Sequence, residues 1–454
     1  MSARHLFVAI LAAACVTAGA CSSSSSAVKP TTTTAPSPEA LAAAAYVWGV
    51  PLVISTRTMQ TLAGITGVNR LYNQQQLSGP MTRLIVAPNV DTLYSVAVLD
   101  LRNGPLALTV PNPITNRYWT YEVLDPYTEA FAYIGTRATR GEAGTWVFTP
   151  PGWSGSLPTG AHQIAAPTPQ LFLLGRFLVD GPTDLASAVA AMQPITLQPL
   201  GTPATIPPIG SPPGTPQSVP SLGGAFYDEL GDALAVNPPT AAADRAALTR
   251  FASLGIGAGQ HPYASGDASQ RAVLERGSAA GQARVGATVE TRNTAKDGWV
   301  TRLDLGRYGA NFGLRAAVAE AVWGANVPEE AVYPASRIDN TGNTYDGAHT
   351  YVMHFDPGRE PPANAFWSVT MYGPDRFLVA NPLNRYALGD RSSSLTHNAD
   401  GSLDLYVAHD PPAGHESNWL PAPAGPFTLL ARIYLPKPTV LDGSYRLPPV
   451  RRVN

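Results

Sequence analysis

What most restricts the fold of this chain is its punctuation. Short runs of β-branched and aromatic residues, each cut off by Pro, Gly, Asn or Asp, fill residues 84–179 and return at 350–435. Such runs read as antiparallel strands joined by turns. In the first stretch the expected strands are 93–101, 118–124, 130–136, 145–149 and 171–179. Between the two stretches, Ala-rich amphipathic text at 224–235, 240–254, 268–292 and 312–323 predicts helices. Residues 198–221 are Pro-rich and almost uncharged, which predicts an irregular surface crossing. Ahead of the first stretch, Ser37-Pro38-Glu39 is a helix start: a capping hydroxyl, Pro in the first turn and an acid where the dipole favours it. That helix should run through Leu41 and Tyr46 to Trp48, where Gly49 and Pro51 would end or kink it.

With 41 Gly and 44 Pro the chain is rich in turns, yet 44% of its 454 residues are hydrophobic, too many for wholesale disorder. Only 14% are charged, which excludes a coiled coil or long helical array. A net charge of −2 leaves no basic face for phosphates, so nucleic acid is not an expected partner. The two cysteines stand at 15 and 21. No disulfide can hold the body, and thiolate catalysis or thiolate metal ligation is excluded there.

The two strand stretches can be laid on each other. Residues 118–126, from Tyr118-Trp119 to Asp125-Pro126, match 366–374, from Phe366-Trp367 to Gly373-Pro374, without a gap. Trp146-Val147-Phe148 resembles the text around Tyr406-Val407-Ala408, allowing a two-residue insertion. Leu173-Leu174-Gly175-Arg176-Phe177 matches Leu429-Leu430-Ala431-Arg432-Ile433, and residues 94–100 resemble 350–356 more loosely. Four blocks in one order suggest a duplicated β unit, although antiparallel strands share one vocabulary of side chains. A pair of such units would meet in a natural cleft.

Asn89-Val90-Asp91-Thr92-Leu93-Tyr94-Ser95, followed by Arg117-Tyr118-Trp119 and Asp125-Pro126-Tyr127-Thr128, resembles the bacterial unknown-function domain family numbered twelve fifty-four. Phe366 to Tyr372, Asn381-Pro382-Leu383-Asn384-Arg385-Tyr386, Asp400-Gly401-Ser402-Leu403 and Asn418 to Pro423 resemble its usual companion, numbered twelve fourteen. The resemblance covers roughly residues 40–180 and 335–450. It implies a mostly β, two-module protein, exported or envelope-associated in many members, and no established reaction.

At the N-terminus Arg4 and His5 precede an apolar run over residues 6–16 and the small residues Thr17-Ala18-Gly19-Ala20 before Cys21. These are the parts of a secretory signal, with an apolar run too short to span a bilayer. The text into Cys21 resembles a lipobox, in which that cysteine becomes the acylated first residue. Ala18 stands where the motif prefers Leu, and ordinary signal cleavage would also fall before Cys21. Residues 22–37 are Ser, Thr, Ala and Pro apart from Val28 and Lys29, which suits a flexible tether. The expectation is a body outside the cytoplasm, anchored to the membrane through Cys21, with no other stretch of membrane-spanning length. The expected organisation is a signal at 1–20, a tether at 21–37, an N-terminal β module at 38–182, a crossing and helical insertion at 183–334, and a C-terminal β module at 335–454.

Catalytic templates are largely missing: Gly152-Trp153-Ser154-Gly155-Ser156 fails as a nucleophile elbow at its last position. Site candidates therefore rest on side-chain chemistry. Asn89, Asp91 and Tyr94 stand at a strand entrance, where they could bind hydroxyls, a hard cation or a proton, or close a turn. Asn384, Arg385 and Tyr386 combine an amide, a bidentate guanidinium and a phenol, as carboxylate or polyol recognition requires, or as a buried corner requires. Arg117 joins these as a further binding candidate. Arg176 and Arg432 hold matching places in apolar strands, where solvent exposure is the commoner outcome and a polar cleft the alternative. Asp125 and Asp375, at ends of matched strands, could be an acid/base pair but more often close turns. His349 and His354 fall on opposite faces of a strand, and His409 with His415 across a turn are weak metal candidates; no metal or other cofactor is expected. Trp119, Trp367 and Trp419 could stack on sugars or sit in the core.

The fold expected is α+β and mainly antiparallel β, with two β-sandwich-like or barrel-like modules related by duplication and a helical insertion between them. Two functions follow. One is a binding protein that holds a small polar ligand, a carbohydrate or carboxylate, between the modules. The other is a metal-independent hydrolase or lyase using Asp91, Asp125 or Tyr94 as acid/base with Arg385 as anion clamp. Either would bring Asn89, Asp91, Arg117, Arg385 and Tyr386 together.

Overall fold

In the computed structural model, which describes residues 35–83, 87–201, 205, 208–291 and 295–453, the helix start at Ser37 forms as its sequence predicts. The Ser37 hydroxyl accepts from the Ala40 amide at 3.2 Å at the head of α1 (Pro38–Thr66). The signal and Cys21 lie outside the described residues.

The first β module contains β1 (Tyr72–Asn73), β2 (Thr92–Asp100), β3 (Leu106–Val110), β4 (Trp119–Leu124), β5 (Ala130–Gly135), β6 (Gly144–Thr149), β7 (His162–Ala165), β8 (Gln170–Leu178), the helix α2 (Leu185–Met192) and β9 (Thr196–Pro199). One sheet runs β1-β2-β8-β4-β5 and the other β7-β6-β3-β9. Leu99, Leu108, Trp119, Val123, Phe148 and Leu173 share the core between them. The helical segment follows as α3 (Phe226–Val236), α4 (Ala242–Phe251), the short α5 (Pro262–Ser265), α6 (Ala268–Thr291) and α7 (Phe312–Ala321). The second module comprises β10 (Trp299–Val300), β11 (Ala331–Val332), β12 (Ala335–Ser336), β13 (Tyr351–Phe355), β14 (Ala363–Tyr372), β15 (Ala387–Gly389), β16 (Leu403–Ala408), β17 (Trp419–Pro421), β18 (Thr428–Pro436), the turn α8 (Pro438–Leu441) and β19 (Val450–Arg452). Its sheets run β10-β12-β18-β14-β15, with β11 also on β18, and β17-β16-β13-β19. Both modules are open sandwiches. The barrel alternative falls away, because neither sheet path closes on itself.

The duplication reappears in the pairing. The path β8-β4-β5 repeats as β18-β14-β15, and β7-β6-β3-β9 repeats as β17-β16-β13-β19. In each copy a single parallel pair, β6 with β7 and β16 with β17, interrupts antiparallel neighbours. Register is kept as well: Trp119 opposes Phe177, and Trp367 opposes Ile433. Gly135 and Gly389 are equivalent, and a Cβ at either would lie 2.4 Å from the Trp119 carbonyl oxygen or 2.1 Å from that of Trp367. The looser match of 94–100 with 350–356 does not hold. The counterpart of β13 is β3, a strand missing from the sequence expectation, while β11 and β12 take the place beside β18 that β2 takes beside β8. Shared strand vocabulary produced that resemblance.

The largest departure is α1, which passes through Gly49 and Pro51 and reaches Thr66. Proline in a helix interior costs about 3 kcal/mol. Trp48, Val50, Leu52 and Val53 beside it are wholly buried, and each such side chain gains about 1.5–3 kcal/mol from leaving water. Burial wins. The helix packs on α6, where the glycines at 277 and 281 admit it: a Cβ there would stand 2.3 Å from Ala42 Cβ and 2.6 Å from Tyr46 Cβ. By length and composition α1 could cross a bilayer, against the expectation that no stretch reaches that length; 67% of its apolar window is buried inside the protein.

Candidate ligand-binding cavity

The first sheets of the two sandwiches meet at an aromatic seam. Phe366 stacks on Tyr434 with ring centroids 4.3 Å apart, and Tyr118 meets both edge-on. Beside this seam lies a cavity of about 530 Å³, within the range of small-molecule sites. Its apolar wall is α7, through Leu314, Ala317, Val318 and Ala321, together with Leu174, Leu305 and Trp323. The amphipathic spacing of α7 turns one face to the cavity and the buried Arg315 and Ala316 toward the α1 core. The polar part of the lining comes from β2, β8, β14 and β18, through Tyr94, Arg176, Tyr372, Arg432 and Tyr434, with Asn89 and Tyr333.

Among the described residues five arginines line the cavity, at 176, 302, 337, 376 and 432, and no Asp or Glu does. Arg176 is neutralised behind the wall: its Nη1 donates to Glu122 Oε2 at 2.8 Å and its Nη2 to the Gly324 carbonyl at 2.8 Å. Burial pushes the Glu122 carboxyl up, and the Arg176 guanidinium opposes that. Arg302 pairs with Asp304 at 2.7 Å. Arg432 is held by neutral groups, donating to Thr370 Oγ1 at 2.7 Å, Tyr372 OH at 2.7 Å and the Ala87 carbonyl at 3.0 Å. Among the described residues no carboxylate lies within 4 Å of Arg432, Arg376 or Arg337. Burial and the neighbouring Arg337 lower Arg376 from its ordinary value. The phenols are fixed: Tyr372 OH donates to the Pro88 carbonyl at 2.7 Å, and Tyr434 OH accepts from Asn89 Nδ2 at 2.9 Å. Burial holds Tyr434 well above its ordinary value, so it stays a neutral hydrogen-bonding group. An apolar lining together with guanidiniums that have no direct carboxylate partner suits an anion with an apolar body.

Of the residues singled out in the sequence, Asn89 and Tyr94 line this cavity. Asp91 lies behind it, accepting from Ser368 Oγ at 2.7 Å and pairing with Arg391 at 2.6 Å. Arg117 is bound to Asp184, Ser187 and the Leu178 carbonyl. Arg385 donates to the carbonyls of Glu416 and Trp419 at 2.8 Å each, and Tyr386 OH donates to Asn384 Oδ1 at 3.0 Å, a loop corner outside the cavity lining. Asn89, Asp91, Arg117, Arg385 and Tyr386 therefore do not converge on one cleft. Arg176 and Arg432, for which solvent exposure was the commoner expectation, are buried and face the cavity. The signal available in the sequence was their repetition: one charge at the same place in two otherwise apolar strands.

Asp125 closes a turn, accepting from the amides of Tyr127 and Glu129, and Asp375 does the same for Phe377. Trp119, Trp367 and Trp419 are buried in the modules, with Trp119 Nε1 on the Ile114 carbonyl and Trp419 Nε1 on that of Ala408. His354 is bound to Asp404, His409 to the Ala422 carbonyl, and His415 stacks on Tyr406. Among the described residues no group of three or more His, Cys, Asp or Glu is placed to hold a metal ion.

Residues 68–199 match the family described as Protein of unknown function (DUF1254), and residues 330–438 match Protein of unknown function (DUF1214). No curated protein matches the chain. Among solved structures, the VPA0106 protein from Vibrio parahaemolyticus is similar over 92% of this chain and 100% of its own, with TM-score 0.71 and 23% identity, a likeness of fold. An uncharacterised protein from Burkholderia cenocepacia is similar over 90% of this chain and 88% of its own, with TM-score 0.47 and 15% identity.

Proposed function

We propose that this chain, a protein of the tandem DUF1254 and DUF1214 families, binds a small amphipathic anion, an apolar body bearing a carboxylate, in the cavity beside its inter-module seam. The observation that carries this reading is the lining of that cavity: among the described residues, five arginines, no acid, and an apolar helix face. Between the two ligand classes expected from sequence, the carboxylate is favoured. A carbohydrate calls for many polar partners and an open stacking ring, whereas the candidate tryptophans are core residues. The hydrolase or lyase alternative is less well supported, since Asp91 is tied to Ser368 and Arg391 and, among the described residues, no carboxylate lines the cavity. Trp323 lines the cavity and would report occupancy. Titration with decanoate should change tryptophan fluorescence saturably and raise Tm, with decanol at least ten-fold weaker. Equal affinity for both compounds, or none for either, would overturn the reading.

The address belongs to the same proposal and rests on residues 4–21: export, with the body tethered outside the cytoplasm by acylated Cys21. Acylation predicts that the wild-type chain partitions with membranes and that Cys21→Ser moves it to the soluble exported fraction. Identical partitioning of the two would remove the anchor.

A further inference from the structure

The two copies of the duplicated sheet treat the same buried arginine differently. Trp119 to Glu122 on β4 correspond in register to Trp367 to Thr370 on β14, and Arg176 on β8 corresponds to Arg432 on β18. Thr120 opposes Arg176 as Ser368 opposes Arg432, so the side chain two residues on lies diagonally beside each arginine on the same face. In the first copy that diagonal residue is Glu122, which accepts from Arg176 Nη1 at 2.8 Å. In the second it is Thr370, whose Oγ1 accepts from the same atom of Arg432 at 2.7 Å. The hydrogen bond is kept and the counter-charge is not.

We infer that the Glu122/Thr370 difference determines which arginine recognises ligand: Arg432 is the anion receptor, Arg176 is its internally neutralised twin, and the cavity selects a single negative charge. This rests on the reading of the cavity as an anion site and adds the recognising residue and the ligand charge. Burying a charge without a direct partner is costly; Arg432 is 3% exposed, its hydrogen-bond acceptors are all neutral, and Asp91, the carboxylate that acts on it from farther off, is already paired with Arg391. A carboxylate in the cavity would supply for Arg432 what Glu122 supplies for Arg176. A doubly charged head would find one buried receptor for two charges, because Arg176 is already matched by Glu122, while Arg376 is half-buried and Arg337 exposed, where water screens their pull.

Thr370→Glu places in the second copy the counter-ion that the first copy carries. Decanoate affinity should fall at least ten-fold in this variant, stay within about three-fold of wild type in Thr370→Gln, and decanol affinity should not change in either. In Glu122→Gln the carboxylate is removed from Arg176 while the amide oxygen can still accept. Decyl phosphate, which carries close to two charges at neutral pH, should then gain at least ten-fold over its wild-type affinity. If wild type prefers decanoate to decanol but Thr370→Glu binds decanoate as tightly as wild type, the receptor assignment is wrong. Should Thr370→Glu fail to fold, Glu122→Gln decides alone, and no gain for decyl phosphate overturns the inference. No selective decanoate binding by wild type is the separate failure of the proposed function itself.

Discussion

Asp91 and Arg391 meet across the junction of the two β modules, with Asp91 Oδ1 2.6 Å from Arg391 Nη2 and both side chains largely buried. The other carboxylate oxygen accepts from Ser368 Oγ at 2.7 Å, and the Arg391 guanidinium lies 4.4 Å from the centre of the Phe366 ring. One carboxylate at the entrance of a first-module strand thus binds two groups of the second module. Removing one partner of such a pair strands the other, and Asp91→Asn should cost about 2–4 kcal/mol. Chemical denaturation measures this. The loss in a double Asp91→Asn, Arg391→Met variant should be smaller than the sum of the single losses; a simple sum would show that the two do not act as a pair.

Two glycines of the second module, Gly389 and Gly425, should respond unequally to a single methyl group. At Gly389 a Cβ would be 2.1 Å from the Trp367 carbonyl oxygen, a backbone atom that cannot swing aside. Gly389→Ala should cost about 2–4 kcal/mol through overpacking and loss of the β15 pairing. At Gly425 nothing lies within 4 Å, and Gly425→Ala should change stability by about 0.5 kcal/mol or less. Equal midpoints for the two variants in urea would contradict the crowding argument.

Burial pushes the Asp125 carboxyl up to about 7, with the Glu129 carboxylate adding to the shift and Arg315 and the backbone amides of Glu129 and Tyr127 opposing it. A carboxyl whose pKa is higher folded than unfolded makes the folded state bind more protons between the two values, so stability falls as pH rises from about 4 to about 7. Burial likewise raises Glu320 to about 7 and Asp390 to about 6, with the same sign. Asp125→Asn keeps an oxygen for the two amides and removes the ionisation. Its Tm should exceed that of wild type at pH 8 and approach it at pH 4; a constant difference across that range would assign the effect elsewhere.

The exposed end of α7 offers a way to close the cavity without touching its charges. Ala321 is half-buried in the lining, and its carbonyl accepts from Arg376 at 3.1 Å, a bond that a new side chain leaves intact. Ala321→Phe should weaken decanoate binding at least ten-fold while shifting Tm by only a few degrees. Undiminished binding, read by calorimetry, would place the ligand elsewhere.

Much of the architecture was legible because its signals are local. Alternation and turn residues marked β2, β4, β5, β6 and β8 to within a residue or so, and the amphipathic spacing marked α3, α4, α6 and α7 to within three residues. The Trp119/Trp367 overlay carried the duplication because register is a one-dimensional property. Short β3 lacked length enough to stand out, and its counterpart β13 was consequently laid on β2. The end of α1 was misread for a different reason. A local proline penalty was visible, whereas the burial of the flanking residues by α3 and α6 was not.

By itself the sequence determined the types of element, their order and the kinship of the two modules, since each depends on neighbours a few residues away. Only the tertiary structure decided the site. Whether a strand arginine faces water or a cavity depends on what packs over it, and whether its charge is neutralised depends on the residue diagonally across the sheet. Arg176 and Arg432 read alike in sequence; folding sets one beside Glu122 and the other beside Thr370, and brings both to the lining of one cavity.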